Sequence, residues 1–123
     1  MVTSTADPER NLTIVTCAGQ ITAKEIMETI ESFYANSPSL SVMWDFTEAD
    51  LSRLTADEVR MVASDVKRLA HSREGGKTAI VSPSELSYGM VRMYQAFAEI
   101  YEQTAVVEAF RSRLEADRWI NEK

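Results

Sequence analysis

Apolar residues along the chain follow two different periods, and each switch between them marks an element. Leu12, Ile14 and Thr16 alternate with Thr13, Val15 and Cys17. This is the period of a strand, apolar enough on both sides to be covered at least partly on both faces. Val2 to Ala6 forms an earlier extended stretch, and Asp7, Pro8 and Glu9 stand between the two. Proline presets φ for a turn, so Val2 to Ala6 and Asn11 to Cys17 are predicted to form a hairpin. Beyond Gly19 the period lengthens. Ile26, Ile30, Phe33 and Tyr34 share one helical face, and so do Val59, Val62, Val66, Leu69 and Ala70. Leu86, Met90, Met93, Phe97, Ile100 and Tyr101 make a third stripe, a wide one that Val91 and Tyr94 broaden further, and Ala116, Trp119 and Ile120 a short fourth. Each spacing is that of a helix with one apolar side.

A hydroxyl residue with Glu three positions later precedes every stripe: Thr22 and Glu25, Thr55 and Glu58, Ser82 and Glu85, Ser112 and Glu115. In such a capping box the hydroxyl accepts from a backbone N–H of the first turn, while the Glu reaches back to the cap's own N–H. Each cap contributes about 1 kcal/mol. Short Val- and Ile-rich runs lie between the helices. Leu40 to Phe46 follows Asn36-Ser37-Pro38, Thr78 to Val81 follows Gly75-Gly76, and Ala105 to Phe110 follows the third helix. Such runs alternating with helices imply a mostly parallel sheet. The predicted order is ββαβαβαβα, a single α/β domain over residues 1–123 with right-handed crossovers and the first strand antiparallel at one edge. A chain of 123 residues is the right size for one packed core.

Composition narrows the chemistry. With 13 Lys plus Arg against 19 Asp plus Glu, the net charge of -6 argues against bare nucleic acid as a partner. One Cys and one His build neither a zinc site nor an internal disulfide. No apolar run is long enough for a membrane helix, and Met1 to Ala6 lacks the pattern of a signal peptide. A cytoplasmic protein without metal, cofactor or membrane insertion is expected. Gly75-Gly76 follows a helix and precedes a strand, the reverse of a phosphate-binding loop, and is predicted to be a helix C-cap and turn.

Few residues then remain for function. Cys17, at a strand end, is expected to be buried filler. His71 falls on the polar side of helix two in its last turn, where a cation favours the helix dipole. Neither belongs to a catalytic set, and no enzyme is predicted. Asp45, Glu48 and Asp50 follow a strand, where α/β proteins often build sites, and three carboxylates can hold Mg²⁺. The first expectation for Asp45 and Asp50 is simpler: they accept from turn N–H groups. Thr55 opens helix two as a cap and as a candidate phosphoacceptor, because a phosphate there would meet free N–H groups and the positive dipole end. Asp57 and Glu58 oppose that by repulsion. In helix three, Tyr88 is expected to project from the polar side and to stack with Arg92 four residues on. Tyr88, Arg92, Tyr94 and Gln95 form the candidate interface or ligand patch, and the Met residues of the helix would suit an adaptable pocket.

A set of stretches goes with this element order: Asp7-Pro8-Glu9-Arg10, Trp44-Asp45-Phe46 with Ala49-Asp50-Leu51-Ser52, Arg92-Met93-Tyr94, and Phe110-Arg111 with Glu115-Ala116 and Trp119-Ile120. They span nearly the whole chain. With them the order resembles the STAS fold of bacterial anti-sigma-factor antagonists and, more narrowly, SpoIIAA-like, STAS-like bacterial proteins. The resemblance implies a non-enzymatic regulatory module that binds protein partners, expected here as a homodimer. It also implies that a phosphorylated hydroxyl opens helix two. Where the phosphorylated antagonists carry Asp-Ser, this chain has Leu54-Thr55. Lipid-binding domains of the same superfamily imply an alternative, a carrier or sensor of a small apolar or amphipathic, lipid-like ligand.

Overall fold

The computed structural model describes residues 1–69 and 71–122, His71 by its backbone alone; Ala70, the last residue of the second stripe, lies outside the described residues. The elements are β1 (Val2–Asp7), β2 (Leu12–Gln20), α1 (Ala23–Ala35), β3 (Ser41–Asp50), α2 (Ala56–Leu69), β4 (Lys77–Val81), α3 (Glu85–Ile100), β5 (Val106–Phe110) and α4 (Arg113–Asn121). The sheet order is β1-β2-β3-β4-β5, with β1 antiparallel to β2 and every other pair parallel. This is the predicted order and the predicted antiparallel edge. Pro8 starts a short 3-10 turn, and Asn11 closes it in the left-handed region at φ 48°.

The topology decides which face each helix covers. Each parallel strand is added on the same side of the last, so right-handed crossovers place α1, α2 and α3 together on one face. Val15, Trp44, Phe46 and Ile80 point there and pack with Ile26, Ile30, Val62, Val66 and Val91. The alternate residues Leu12, Met43, Ala79 and Val81 point to the other face, which α4 roofs with Ala116, Trp119 and Ile120. Arg10 fastens that roof to the hairpin by pairing with Asp7 at 2.8 Å and Asp117 at 3.4 Å. Lys77 closes its far end, donating to the carbonyls of Trp119 at 2.6 Å and Glu122 at 2.7 Å.

Several boundaries differ from expectation. β2 and β3 run past Cys17 and Phe46, because after a bulge between Thr16 and Ala18 they pair again from Ala18 with Glu48 to Gln20 with Asp50. α2 is described as far as Leu69, and His71 opens a 3-10 turn instead of standing in the helix's last turn; its side chain lies outside the described residues. Gly75 makes the expected turn at φ 82°. Gly76 is needed for another reason: a Cβ there would stand 2.0 Å from the carbonyl oxygen of Leu40.

The third capping box is displaced. Ser84, not Ser82, caps α3, accepting from the Ser87 N–H at 3.2 Å. Pro83 disfavours helical backbone at the residue before it, so Ser82 continues the sheet and donates its N–H to the Phe110 carbonyl at 2.9 Å. The Thr22 box is complete, and Ser112 accepts from the Glu115 N–H at 3.2 Å.

The predicted face of α3 is also displaced. Of the predicted arc the helix buries the Val91 edge, with Ser87 and Ala98 beside it, about 110° round from the main stripe of bulky residues. These small side chains let the helix lie close over the sheet. Leu86 and Ile100 are left 63% and 69% exposed.

Candidate functional site

The connection from β3 to α2 is built by its own side chains. Asp50 accepts from the Ser52 N–H at 2.9 Å, and the Leu54 N–H donates to the Leu51 carbonyl at 3.1 Å while the Leu51 side chain plugs the core. Thr55 then caps α2 in a full capping box. Its Oγ1 accepts from the Glu58 N–H at 3.1 Å, and Glu58 Oε1 accepts from the Thr55 N–H at 3.0 Å and hydroxyl at 3.2 Å. Thr55 is exposed.

Glu58 also stands at an apolar cavity of about 80 Å³ beneath the three-helix layer. Ile26 and Ile30 of α1, Phe46 of β3, Val62 of α2, and Met90 and Tyr94 of α3 line it. Thr78 brings the one hydroxyl of its floor, and that hydroxyl accepts from Arg73 at 3.0 Å. Arg73 itself is 2% exposed and donates to the carbonyls of Leu40 and Lys77 and to the Tyr34 hydroxyl at 2.9 to 3.1 Å. Nothing in the sequence pattern singled out Arg73; two of its four acceptors, Leu40 and Tyr34, are distant in sequence. Burial pushes the Tyr94 hydroxyl up to about 12, and the side-chain amide of Gln103 donates to it at 3.3 Å.

Of the residues proposed as one patch on α3, Tyr88, Arg92 and Gln95 stand on one helical face at i, i+4 and i+7, and Tyr94 does not. Tyr88 is half-buried and does not stack with Arg92; the Arg111 guanidinium covers its ring at 4.2 Å and pairs with Glu85 at 2.9 Å. Arg111 follows β5 and reaches Tyr88 across the chain, a tertiary contact that overrides the local i,i+4 spacing. Arg92 points to solvent, Tyr94 lines the cavity, and Gln95 is half-buried with its Oε1 unpartnered.

The acidic segment is occupied by the protein's own donors. Burial works to raise the Asp45 pKa, but hydrogen bonds from the Thr47 hydroxyl and N–H and from Arg113 outweigh it and hold the carboxyl below its ordinary range. Asp45 therefore stabilises the fold at neutral pH, and that contribution is lost as pH falls through its depressed pKa. Asp50 serves Ser52, as expected of a turn acceptor. Among the described residues no three His, Cys, Asp or Glu side chains converge as metal ligands. Cys17 is fully buried, and burial pushes its thiol up to about 12. A thiol so protonated is a poor nucleophile.

A five-stranded mixed sheet with three helices on one face and one on the other, in this order, is the SpoIIAA-like STAS fold. The solved structure of the anti-sigma factor antagonist SpoIIAA in its unphosphorylated form matches 99% of this chain and 100% of its own, with a TM-score of 0.56 at 13% identity. No family model and no curated protein sequence matches the chain. No described helix is long and apolar enough to cross a membrane.

Proposed function

We propose that the chain is a non-enzymatic regulatory module of bacterial STAS type that works in the cytoplasm through protein–protein contacts, as a homodimer that also engages an unlike partner. The observation that carries this is the end-to-end fold match to an anti-sigma factor antagonist. The exposed Thr55 at the start of α2 and the Tyr88–Arg111 pair at the start of α3 are the surface assigned to the unlike partner. The test is affinity capture from extract of the native cell with wild type, Thr55→Arg and Tyr88→Ala. A protein retained in near-equal amount by wild type and lost with either variant supports the reading; equal recovery by all three overturns it.

Thr55 is carried as the phosphoacceptor of this module. A phosphate there would take the helix N-terminus but displace the Glu58 carboxylate from the capping box by like-charge repulsion. Incubation with cell extract and ATP should place a phosphate on Thr55 by mass spectrometry; a modification elsewhere, or none, removes the assignment.

The apolar cavity favours a second reading, a carrier or sensor of a small apolar ligand. Its volume of about 80 Å³ is well below the 300–1,000 Å³ or so of drug-sized pockets, so a lipid-like chain would enter only with α3 displaced. Native mass spectrometry of freshly purified protein should find a bound small molecule if this reading holds. An empty chain with no thermal shift on adding fatty acid or indole overturns it.

A further inference from the structure

The outward side of α3 carries a repeat that the fold leaves uncovered. Leu86, Met93 and Ile100 recur every seven residues, with Gly89 and Ala96 between them. This is the a/d spacing along which two helices pack as a coiled coil. Leu86, Gly89, Ala96 and Ile100 are exposed and Met93 half-exposed. The stacked Phe97 and Tyr101 rings border one side of this seam, and Arg92 and Glu99 border the other.

Gly89 gives an independent sign. It lies inside α3, outside the left-handed region, and a Cβ added there would meet nothing within 4 Å. Neither backbone nor packing within the chain requires glycine, although it costs the helix about 1 kcal/mol relative to alanine. An absent side chain at this point lets a second helix approach.

The flanking charges identify that helix. Arg92 and Glu99 are both exposed, and neither has an ion-pair partner within the chain among the described residues. Seven residues apart on one flank, they are self-complementary under a two-fold axis crossing α3. An antiparallel copy that sets Met93 opposite Ala96 and Ile100 opposite Gly89 brings each Arg92 to the Glu99 of the other copy.

We propose that α3 is a self-association surface, pairing antiparallel with α3 of a second copy through Met93 and Ile100, set against Ala96 and Gly89, and through two symmetric Arg92–Glu99 pairs. This rests on the homodimer reading above and supplies its surface. The pairing is isologous, so it closes at two copies.

Sedimentation equilibrium over about a hundredfold range of concentration tests it, with wild type, Met93→Glu, Arg92→Glu, the double variant Arg92→Glu/Glu99→Arg, and Gly89→Gln. A wild-type dimer is expected. Met93→Glu should weaken it more than about tenfold by placing charge in the apolar seam. Arg92→Glu should weaken it about tenfold through two like-charge contacts, and the double variant should regain most of that loss. Gly89→Gln should raise thermal stability of dilute protein while weakening association, opposite signs that a purely structural role would not produce. It also decides the matter if Met93→Glu does not fold. A dimer unmoved by these changes, or a charge swap that restores nothing, overturns the α3 surface and leaves the dimer reading standing. A wild-type monomer at every concentration overturns both.

Discussion

α2 and α3 are neighbours in one helical layer, and each carries an apolar stripe, yet they use their stripes in opposite ways. α2 turns Val59, Val62 and Val66 into the core and keeps Asp57, Arg60 and Arg68 outside. α3 buries Ser87, Val91 and Ala98 while Leu86 and Ile100 face solvent. The two helices teach that periodicity locates an apolar face but does not choose between two adjoining ones. On α2 only one face can be buried without burying charge. On α3 the apolar arc is wide enough for either side to meet the sheet, and close approach selects the smaller residues.

The largest expected effect separates these two kinds of apolar position. Val62→Asp places a carboxylate among Ile30, Phe46 and Val66, so it should cost about 4 kcal/mol or more and leave the chain largely unfolded. Leu86→Asp puts the same group in the first turn of α3, where the helix dipole favours it, and should change stability by less than about 0.5 kcal/mol. Urea denaturation of dilute protein measures both. A Leu86→Asp chain that unfolds like Val62→Asp would end the distinction.

A smaller effect tests the rotation of α3 itself. Val91→Ala removes two buried methyl groups and should cost about 2 kcal/mol. Met93→Ala removes a larger side chain from the uncovered seam and should cost less than about 1 kcal/mol in dilute protein. If the larger truncation proves the costlier one, the Met93 side of the arc rather than the Val91 side faces the core.

Tyr94 gives a reading on the same rotation without mutation. It sits on the buried side of α3, where its hydroxyl is pushed up to about 12, above an ordinary value of 10. A raised pKa stabilises the folded state fully below the ordinary value, and the contribution drains away as pH climbs through the folded one. Ultraviolet absorbance should show one tyrosine of the four ionising only near pH 12 or on unfolding, and Tyr94→Phe should remove that late component. A late component that survives Tyr94→Phe would place another tyrosine in the core.

Local rules carried most of the architecture, since strands, helix faces and turns depend on spacings of a few residues. Element order, the antiparallel edge, the Thr22 and Thr55 capping boxes and the α4 stripe were legible for that reason. What escaped depends on long-range partners. Arg73 belongs to no local pattern, and only folding brings Leu40 and Tyr34 to it. Tyr88 has a suitable cation four residues away, yet Arg111 from beyond β5 takes its ring. In the candidate patch on α3, Tyr88, Arg92 and Gln95 keep one helical face by their i, i+4, i+7 spacing, whereas the rotation that the sheet fixes turns Tyr94 into the cavity.

The caps of the two helices offer the finest comparison, in which sign matters more than size. Thr55→Ala removes the hydroxyl half of a capping box, leaving the Glu58 carboxylate on the backbone N–H, and should cost about 1 kcal/mol, and Ser84→Ala should cost a similar amount. Ser82 matches the same sequence spacing as Thr55, but its hydroxyl is fully buried with no hydrogen-bond partner. A buried polar group without a partner opposes folding, so Ser82→Ala should be neutral or stabilising by up to about 1 kcal/mol. Three urea midpoints at one pH suffice. Loss of stability on Ser82→Ala comparable to Thr55→Ala would mean that Ser82 caps α3 after all. The unchanged midpoint instead expected would show that Pro83 sets the helix start, by holding the residue before it in the sheet.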